Sequence, residues 1–375
     1  MRSVILYVCS YSIKFKGVCK EIMKKRLNFA VIGCSGMARL HMLGVLNNDA
    51  NLYAICDVAQ SQIDERLKEF KVERTCNDYR ELVSDPNVDV AILVTPDYYH
   101  LEMTEAFLRA GKHVLCEKPM ALTMEECERM IQVSKECDKL LMVGQVCRCN
   151  PVFIKAKQLI DKGFIGELFF VESEYAHDYG VSRGFNDWRV DPRRHGFIGG
   201  GCHAVDMLRW IVGDPTKVYA LGNKKCLTDW PIQDDANVAL YTFPNDVMGK
   251  VFVSIGCKRN YTMRSCFYGT EGTIVCDTNP GRGEVTIYRE DKENPLPFHG
   301  GMGPGYKDYN VGHTISVGVK DHNVEGEIKQ LIEAIENGTE LPISPKDAAG
   351  SVAACCAAIE SAKTGMPVDI KYPNV

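Results

Sequence analysis

Asn28-Phe-Ala-Val-Ile-Gly33-Cys-Ser-Gly36-Met-Ala38 begins as an apolar strand, breaks at a glycine-bearing turn, and continues with Met37, Leu40, Leu43 and Leu46 at helical spacing. The turn is a degenerate G-x-G-x-x-G, with Ser35 and Ala38 at the second and third glycine positions. Such a turn aims free backbone N–H groups at the start of a helix toward a pyrophosphate. Gly33, Ser35, Gly36 and Met37 are therefore the expected cradle of a dinucleotide. The next apolar run, Leu52 to Cys56, ends in Asp57. An acid about 20 residues beyond the turn meets the ribose hydroxyls of NAD and repels the additional phosphate of NADP.

The alternation continues along the chain. Helical patterns at 61–70, 98–110 (closing at Gly111) and 124–137 are interleaved with apolar runs at 88–95, 113–116 and 140–144. Strands separated by helices of this length build a parallel, doubly wound sheet, so residues 23–146 read as one nucleotide-binding α/β domain. The run Val114-Leu-Cys-Glu-Lys-Pro-Met120 ends abruptly in an acid, a base and a proline. Ligands of such sheets bind beyond the carboxyl ends of the strands, so Lys118 is placed to present an ammonium group to one. Pro119 restricts the backbone before it to extended conformations.

Beyond Pro151 the pattern changes. A helix at 152–162 leads into strand-like segments at 166–175, 218–222, 236–243, 248–255, 265–268, 272–276 and 285–288, separated by turns such as Pro244-Asn-Asp246. Residues 147–375 are thus expected to form a second α/β domain on a largely antiparallel, open sheet with helices on one face. Its other face needs covering, which suggests a subunit interface. Residues 294–313 are too rich in glycine and proline for regular structure and read as a lid that could carry His299, Tyr306, Asp308 and His313 to the site. Two helices, at 323–337 and 345–364, close the chain.

A length of 375 residues favours two domains, and 45% hydrophobic with 25% charged residues is ordinary for a globular protein. A net charge of −5 provides no basic field for nucleic acid or anionic lipid. No apolar run approaches the roughly 18 residues of a membrane span. The 17 cysteines include no C-x-x-C pair, and many sit inside apolar runs as small hydrophobes, which points to a reducing cytoplasm and to no metal. Residues 1–22 read as an extension with no assigned role, Met23-Lys-Lys-Arg26 being the more natural start.

Taken together, these landmarks resemble the glucose–fructose oxidoreductase / inositol dehydrogenase (Gfo/Idh/MocA) family. The resemblance rests on Gly33-Cys-Ser-Gly36-Met-Ala38, Asp57, Thr95-Pro96 with His100, Glu117-Lys118-Pro119, Arg148, Trp188-Arg189 and Gly201-Cys-His203-Ala-Val-Asp206-Met-Leu-Arg209-Trp210. It implies a Rossmann domain, a second domain with an open sheet, NAD as cofactor, and a homodimer or homotetramer. It also implies that Lys118 meets the substrate hydroxyl and that His203 assists proton transfer. Thr95, Pro96, His100 and Glu117 would line the nicotinamide side, while Trp188 and Arg189 approach the dinucleotide from the second domain. Arg148, Tyr175 and His177 are candidate substrate contacts. Many members carry an aspartate four residues before the histidine, where this chain has Gly199. The Gly199-Gly200-Gly201 run is expected to remove a carboxylate and widen the floor of the site, a variant similar to members acting on the sugar ring of glycosides, including gut-bacterial glycoside 3-oxidoreductases.

The implied activity is NAD-dependent oxidation of a secondary hydroxyl of a sugar, glycoside or polyol, with ring carbon 3 the expected position. A lysine can take the proton if burial and neighbouring charge lower its pKa, and a histidine titrates near neutrality and can share the relay. Two other readings stay open: a lyase or glycosidase that retains NAD and works through a transient 3-keto sugar, and a non-catalytic sensor of NAD or sugar. The plainer reading of His203 is a core histidine capped by Asp206, one helical turn away; these two alone are too few for a metal site. Trp210 reads as packing.

Overall fold

The computed structural model describes residues 26–278, 283–289, 314–316 and 322–375. Residues 1–22 and the expected lid, with His299, Tyr306, Asp308 and His313, lie outside the described residues.

The chain first alternates strand and helix: β1 (Asn28–Ile32), α1 (Ala38–Asn47), β2 (Asn51–Cys56), α2 (Gln60–Leu67), β3 (Arg74–Cys76), α3 (Arg80–Val83), β4 (Val90–Leu93), α4 (His100–Arg109), β5 (His113–Cys116), α5 (Met124–Cys137) and β6 (Leu141–Val143). All six strands are parallel, in the order β3-β2-β1-β4-β5-β6. Their side chains are buried on both faces (Ala91, Ile92, Val114 and Leu115 are inaccessible to solvent), as crossover helices on both sides require. The strand order reverses between β1 and β4. The loops leaving β1, β4 and β5 therefore open on a common edge: Gly33 to Met37, Val94 to Asp97, and Glu117 to Met120. Sequence periodicity passes over β3 because Arg-Thr-Cys is too short and polar to register; pairing with β2 at Ala54, Ile55 and Cys56 makes it a strand.

The second half comprises α6 (Pro151–Asp161), β7 (Leu168–Ala176), α7 (Gly196–Gly199), α8 (Cys202–Val212), β8 (Lys217–Asn223), β9 (Ala236–Thr242), β10 (Met248–Ser254), β11 (Thr262–Gly269), β12 (Gly272–Asp277), β13 (Glu284–Arg289), β14 (Thr314–Ser316), α9 (Val324–Asn337), α10 (Pro345–Thr364) and β15 (Val368–Asp369). These nine strands form a sheet in the order β14-β13-β12-β11-β7-β10-β9-β8-β15. It is antiparallel except where β10 runs parallel to β7. Helices α6, α8 and α10 pack on it, whereas Leu221, Leu240 and Met248 stay exposed. The last two helices return to the first half, α9 against α1 and α10 against α5, so the two sheets are joined by more than one linker.

One buried network fixes α8 against its surroundings. Asp206, wholly buried, accepts from Arg148 Nε at 2.8 Å, Arg148 Nη2 at 2.7 Å and Ser351 Oγ at 2.8 Å. Arg148 also reaches Asp347, to which Arg209 donates as well. Removing one partner of a buried ion pair leaves an uncompensated charge. Asp206→Ala is therefore expected to lower the unfolding free energy by roughly 3 kcal/mol, read from the denaturant midpoint of the full chain.

Candidate functional site

The turn after β1 can be made only by glycine at its first position. Gly33 has φ +93°, and a Cβ there would lie 2.6 Å from the Val94 carbonyl oxygen. Asp57 then braces the same turn: one carboxylate oxygen accepts from Cys34 N at 2.8 Å and the other from Ala59 N at 2.9 Å. Around these residues lies a cleft of about 530 Å³ lined by Gly33, Ser35, Asp57, Thr95, Pro96, Tyr98, Tyr99 and Trp188. At Gly36 a Cβ would meet nothing within 4 Å, so the start of α1 faces open space. A short-loop cradle at a helix N-terminus with an acid at its rim fits the pyrophosphate and ribose of a dinucleotide.

A second cleft of about 640 Å³ adjoins the first and shares Ser35, Gln62, Val94, Thr95 and Trp188 with it. Here Gly36, Met37, Glu117 and Lys118 from the first half face Tyr175, His177, Tyr179, Arg189, Arg194, Gly199, His203, Tyr261 and His322 from the second. Lys118, joined to Pro119 by a cis peptide bond, donates from Nζ to the Gly199 carbonyl at 3.2 Å. In the opposite direction Arg194 Nε donates to the Asp97 carboxylate at 2.8 Å, both groups being buried.

Glu117 is fixed on both oxygens. Oε1 lies 2.8 Å from His41 Nε2, and Oε2 accepts from the Lys118 backbone N–H at 3.1 Å. Burial works against its charge, but the hydrogen bond and charge of His41 together with Lys118 prevail, and its pKa falls to about 2. For Lys118, burial disfavours the ammonium as the sequence argument anticipated. Cys202, Tyr179 and Glu117 outweigh it, with Arg194 opposing, so the pKa is raised rather than lowered. His203 moves the other way: burial first, then Lys118 and His322, push its pKa well below the ordinary value, leaving the imidazole neutral.

His203 is stacked between Tyr175 (centroids 6.0 Å apart) and His322 (5.7 Å). The Tyr175 hydroxyl bonds to His177 Nε2 at 3.0 Å and to the Tyr179 hydroxyl at 2.9 Å, and Tyr261 closes edge-on against Tyr175, His177 and His322. Burial, Lys118 and Arg189 lower His177 to about 4, so it too is neutral. The part of the cleft around His203 thus has aromatic walls with two neutral imidazoles, His177 and His203, beside the Lys118 ammonium. Trp188, between the two clefts, carries the Arg194 guanidinium 4.3 Å and the Arg189 guanidinium 4.8 Å from its ring centroid.

Gly33, Ser35, Gly36, Met37, Asp57, Thr95, Pro96, Glu117, Lys118, Tyr175, His177, Trp188, Arg189 and His203 all border these clefts. Two expected residues do not. Arg148 is committed to Asp206 and Asp347 and lies outside the cleft lining, which corrects its expected role as a substrate contact. His100 is buried beneath the site, with Nδ1 2.9 Å from the Pro119 carbonyl oxygen and Nε2 3.1 Å from that of Thr95. Burial opposes its charge, but Cys116, Asp97 and the Pro119 carbonyl raise its pKa to about 9. Hydrogen bonds to two carbonyls require both ring nitrogens protonated. His100 therefore ties the Thr95 and Pro119 loops together instead of lining the nicotinamide side.

Asp206 does not cap His203; it serves Arg148 and Ser351, and His203 Nδ1 meets Cys147 Sγ at 3.3 Å. Nor does the glycine run widen the floor. A Cβ at Gly199 would lie 2.8 Å from Arg194 Nη2, and one at Gly200 would lie 2.3 Å from the Tyr175 ring. The space that side chains would take is filled by Arg194 and Tyr175. The sequence reading missed His41, Arg194 with Asp97, Tyr179, Tyr261 and His322. His41 alone left a signal, a polar residue among Ala38, Met42 and Val45 on the buried face of α1. Among the described residues no group of three or more His, Cys, Asp or Glu side chains could hold a metal ion, and no helix is long and apolar enough to cross a membrane.

Comparison with known proteins agrees with this geometry. Residues 27–145 match the family model for the GFO/IDH/MocA oxidoreductase family, NAD-binding Rossmann fold, and residues 153–275 match that for the GFO/IDH/MocA C-terminal domain. The chain is 28% identical over 331 residues to the myo-inositol 2-dehydrogenase of Thermotoga maritima, covering 84% of this chain and 91% of that protein. It is 26% identical over 300 residues to the levoglucosan dehydrogenase of Pseudarthrobacter phenanthrenivorans, covering 67% and 73%. A crystal structure of levoglucosan dehydrogenase in complex with NADH and L-sorbose superposes with a TM-score of 0.78 at 25% identity, covering 93% of this chain and all of that one.

A carboxyl whose pKa is depressed on folding stabilises the protein above its unfolded value and loses that contribution as pH falls toward the folded one. For Glu117 the window runs from 4.5 down to about 2. Across it the native chain is expected to lose on the order of 3 kcal/mol more stability than Glu117→Gln. Parallel denaturation curves as a function of pH measure the difference.

Proposed function

The chain belongs to the GFO/IDH/MocA oxidoreductase family, and from that premise we propose that it oxidises a secondary hydroxyl of a sugar, glycoside or polyol to a ketone with NAD. The observation that carries the reading is the junction of the two clefts. An ammonium, Lys118, and a neutral imidazole, His203, face one volume whose far side is the dinucleotide cradle. The relatives named for inositol and levoglucosan support the substrate class.

Oxidising an alcohol requires that the hydroxyl proton leave as hydride is transferred, and NAD when bound supplies the hydride acceptor. Gly33, Ser35 and Gly36 would hold its pyrophosphate and Asp57 its ribose hydroxyls. Trp188 and Arg189 would close over it, and Thr95 with Glu117 would flank the nicotinamide. The raised pKa of Lys118 suits an ammonium that donates to the substrate oxygen and stabilises the alkoxide as it develops. The proton then needs a neutral acceptor in the same wall, and His203 is one. Lys118 and His203 divide the relay: the first polarises, the second receives. Tyr175, His177, Tyr179 and Tyr261 supply ring faces and hydrogen-bonding groups suited to a sugar.

Ring carbon 3 remains the proposed position of attack, the open sheet face the proposed subunit contact, and the cytoplasm the proposed compartment. Lys118→Ala is expected to bind NAD within about threefold of the native affinity while turnover falls by about 10³-fold, and unchanged turnover would remove the assignment. A panel of inositols, hexoses and aryl glycosides, followed by nicotinamide absorbance and product analysis, identifies the substrate. NADH formed in proportion to ketone supports the dehydrogenase; product without net NADH favours a lyase that regenerates its cofactor.

A further inference from the structure

His203 has no carboxylate partner among the described residues. Its Nδ1 instead meets Cys147 Sγ at 3.3 Å, and the same sulfur lies 3.8 Å from Met263 Sδ. We propose that Cys147 is a positioning residue that points its S–H at Met263 Sδ and thereby fixes His203 with a proton on Nδ1 and a lone pair on Nε2. This inference rests on the proposed role of His203 as proton acceptor.

The direction of the chain follows from what each atom can do. A thioether sulfur accepts but cannot donate, so the Cys147–Met263 contact has one polarity, S–H toward Sδ. With its hydrogen turned to Met263, Cys147 Sγ is left as an acceptor, and Nδ1 must then be the donor. Tyr261 donates to the same thioether at 2.9 Å, which holds Met263 Sδ in this orientation. Burial, then Asp206 and Cys202, push the Cys147 thiol well above its ordinary value, so it remains S–H rather than thiolate. The opposite arrangement, S–H toward Nδ1, would put the ring hydrogen on Nε2 and leave the imidazole unable to accept there.

The reaction sharpens the requirement. With NAD bound as hydride acceptor, the O–H proton would move to Nε2 as the carbinol C–H bond breaks and the C–O bond becomes a carbonyl. His203 is then an imidazolium with hydrogen on both nitrogens, and Nδ1 has to donate. Cys147 Sγ is the acceptor in contact with it, and can accept because its own hydrogen is already directed away. A neutral thiol supports the charged ring less than a carboxylate would. Lys118 and His322 also face the ring, and the proton is held loosely and returned readily in the reverse direction.

The test starts without substrate. In the native protein labelled with ¹⁵N-histidine, assigned by comparison with His203→Gln, the His203 resonances should report hydrogen on Nδ1 and a bare Nε2; hydrogen on Nε2 would overturn the proposal. Met263→Leu removes the thioether while keeping the volume, and should shift the ring toward the other tautomer; an unaltered ring would also overturn it. Cys147→Ala should lower kcat about 10- to 100-fold with the KM for NAD little changed and the pH profile displaced, whereas Cys147→Ser, which retains a donor and acceptor, should restore most of it. Turnover within twofold of native in Cys147→Ala, with the tautomer unmoved, refutes the idea. If the native chain oxidises no member of the panel, the functional reading fails while the tautomer result still stands.

Discussion

Two cations crossing in opposite directions hold the site together. Lys118, on the loop after β5, reaches into the second half to the carbonyl of Gly199; Arg194, in the second half, reaches back to Asp97 on the loop after β4. Each replaces part of the solvation its charge loses on burial with a fixed acceptor across the cleft. Asp97 and Gly199 both border the second cleft, so the contacts that join the halves also set its width. The packing of α9 on α1 and of α10 on α5 joins the halves at a distance, and these two contacts join them at the cleft itself.

The same neighbourhood sorts the protonation states. Lys118 remains charged while His203 and His177, both under its influence, are pushed to the neutral side. The ammonium keeps its proton because Cys202, Tyr179 and Glu117 outweigh its burial, Glu117 being itself ionised and pinned by His41. A lysine that keeps its proton is a poor base but a good electrostatic partner for a developing alkoxide. Burial and that charge together keep His203 neutral, so in the proposed mechanism the two roles are interdependent.

How far this was legible in the sequence depends on range. The strand–turn–helix at residues 28–38, the acid at Asp57 and the Glu-Lys-Pro bend are local patterns, governed by periodicity and by what a tight turn demands, and they appear where the sequence puts them. The parallel pairing of β7 with β10 is not local; it joins residues 168–176 to 248–254 across two intervening helices and two strands, which no periodicity encodes. Site residues divide the same way. Lys118 and His203 stand out by type within recognisable segments. Tyr261 and His322 look like any aromatic residues until the second sheet and α9 bring them together, and Arg148 looks available until Asp206 and Asp347 are seen to claim it.

Gly199 shows why a missing side chain need not mean an empty space. A residue with a Cβ at this position would press on Arg194 Nη2 at 2.8 Å, and a carboxylate there would compete with Asp97 for the guanidinium. Glycine removes that competition and leaves the backbone carbonyl as the acceptor for Lys118. A carbonyl carries no titratable charge, so it orients the ammonium without adding a proton-accepting group beside it. In the proposed mechanism the task of receiving a proton then falls on His203, whose Nδ1 is backed by the Cys147 thiol rather than by an acid. The absence of a carboxylate at residue 199 and the presence of Cys147 behind His203 are thus two parts of one electrostatic arrangement.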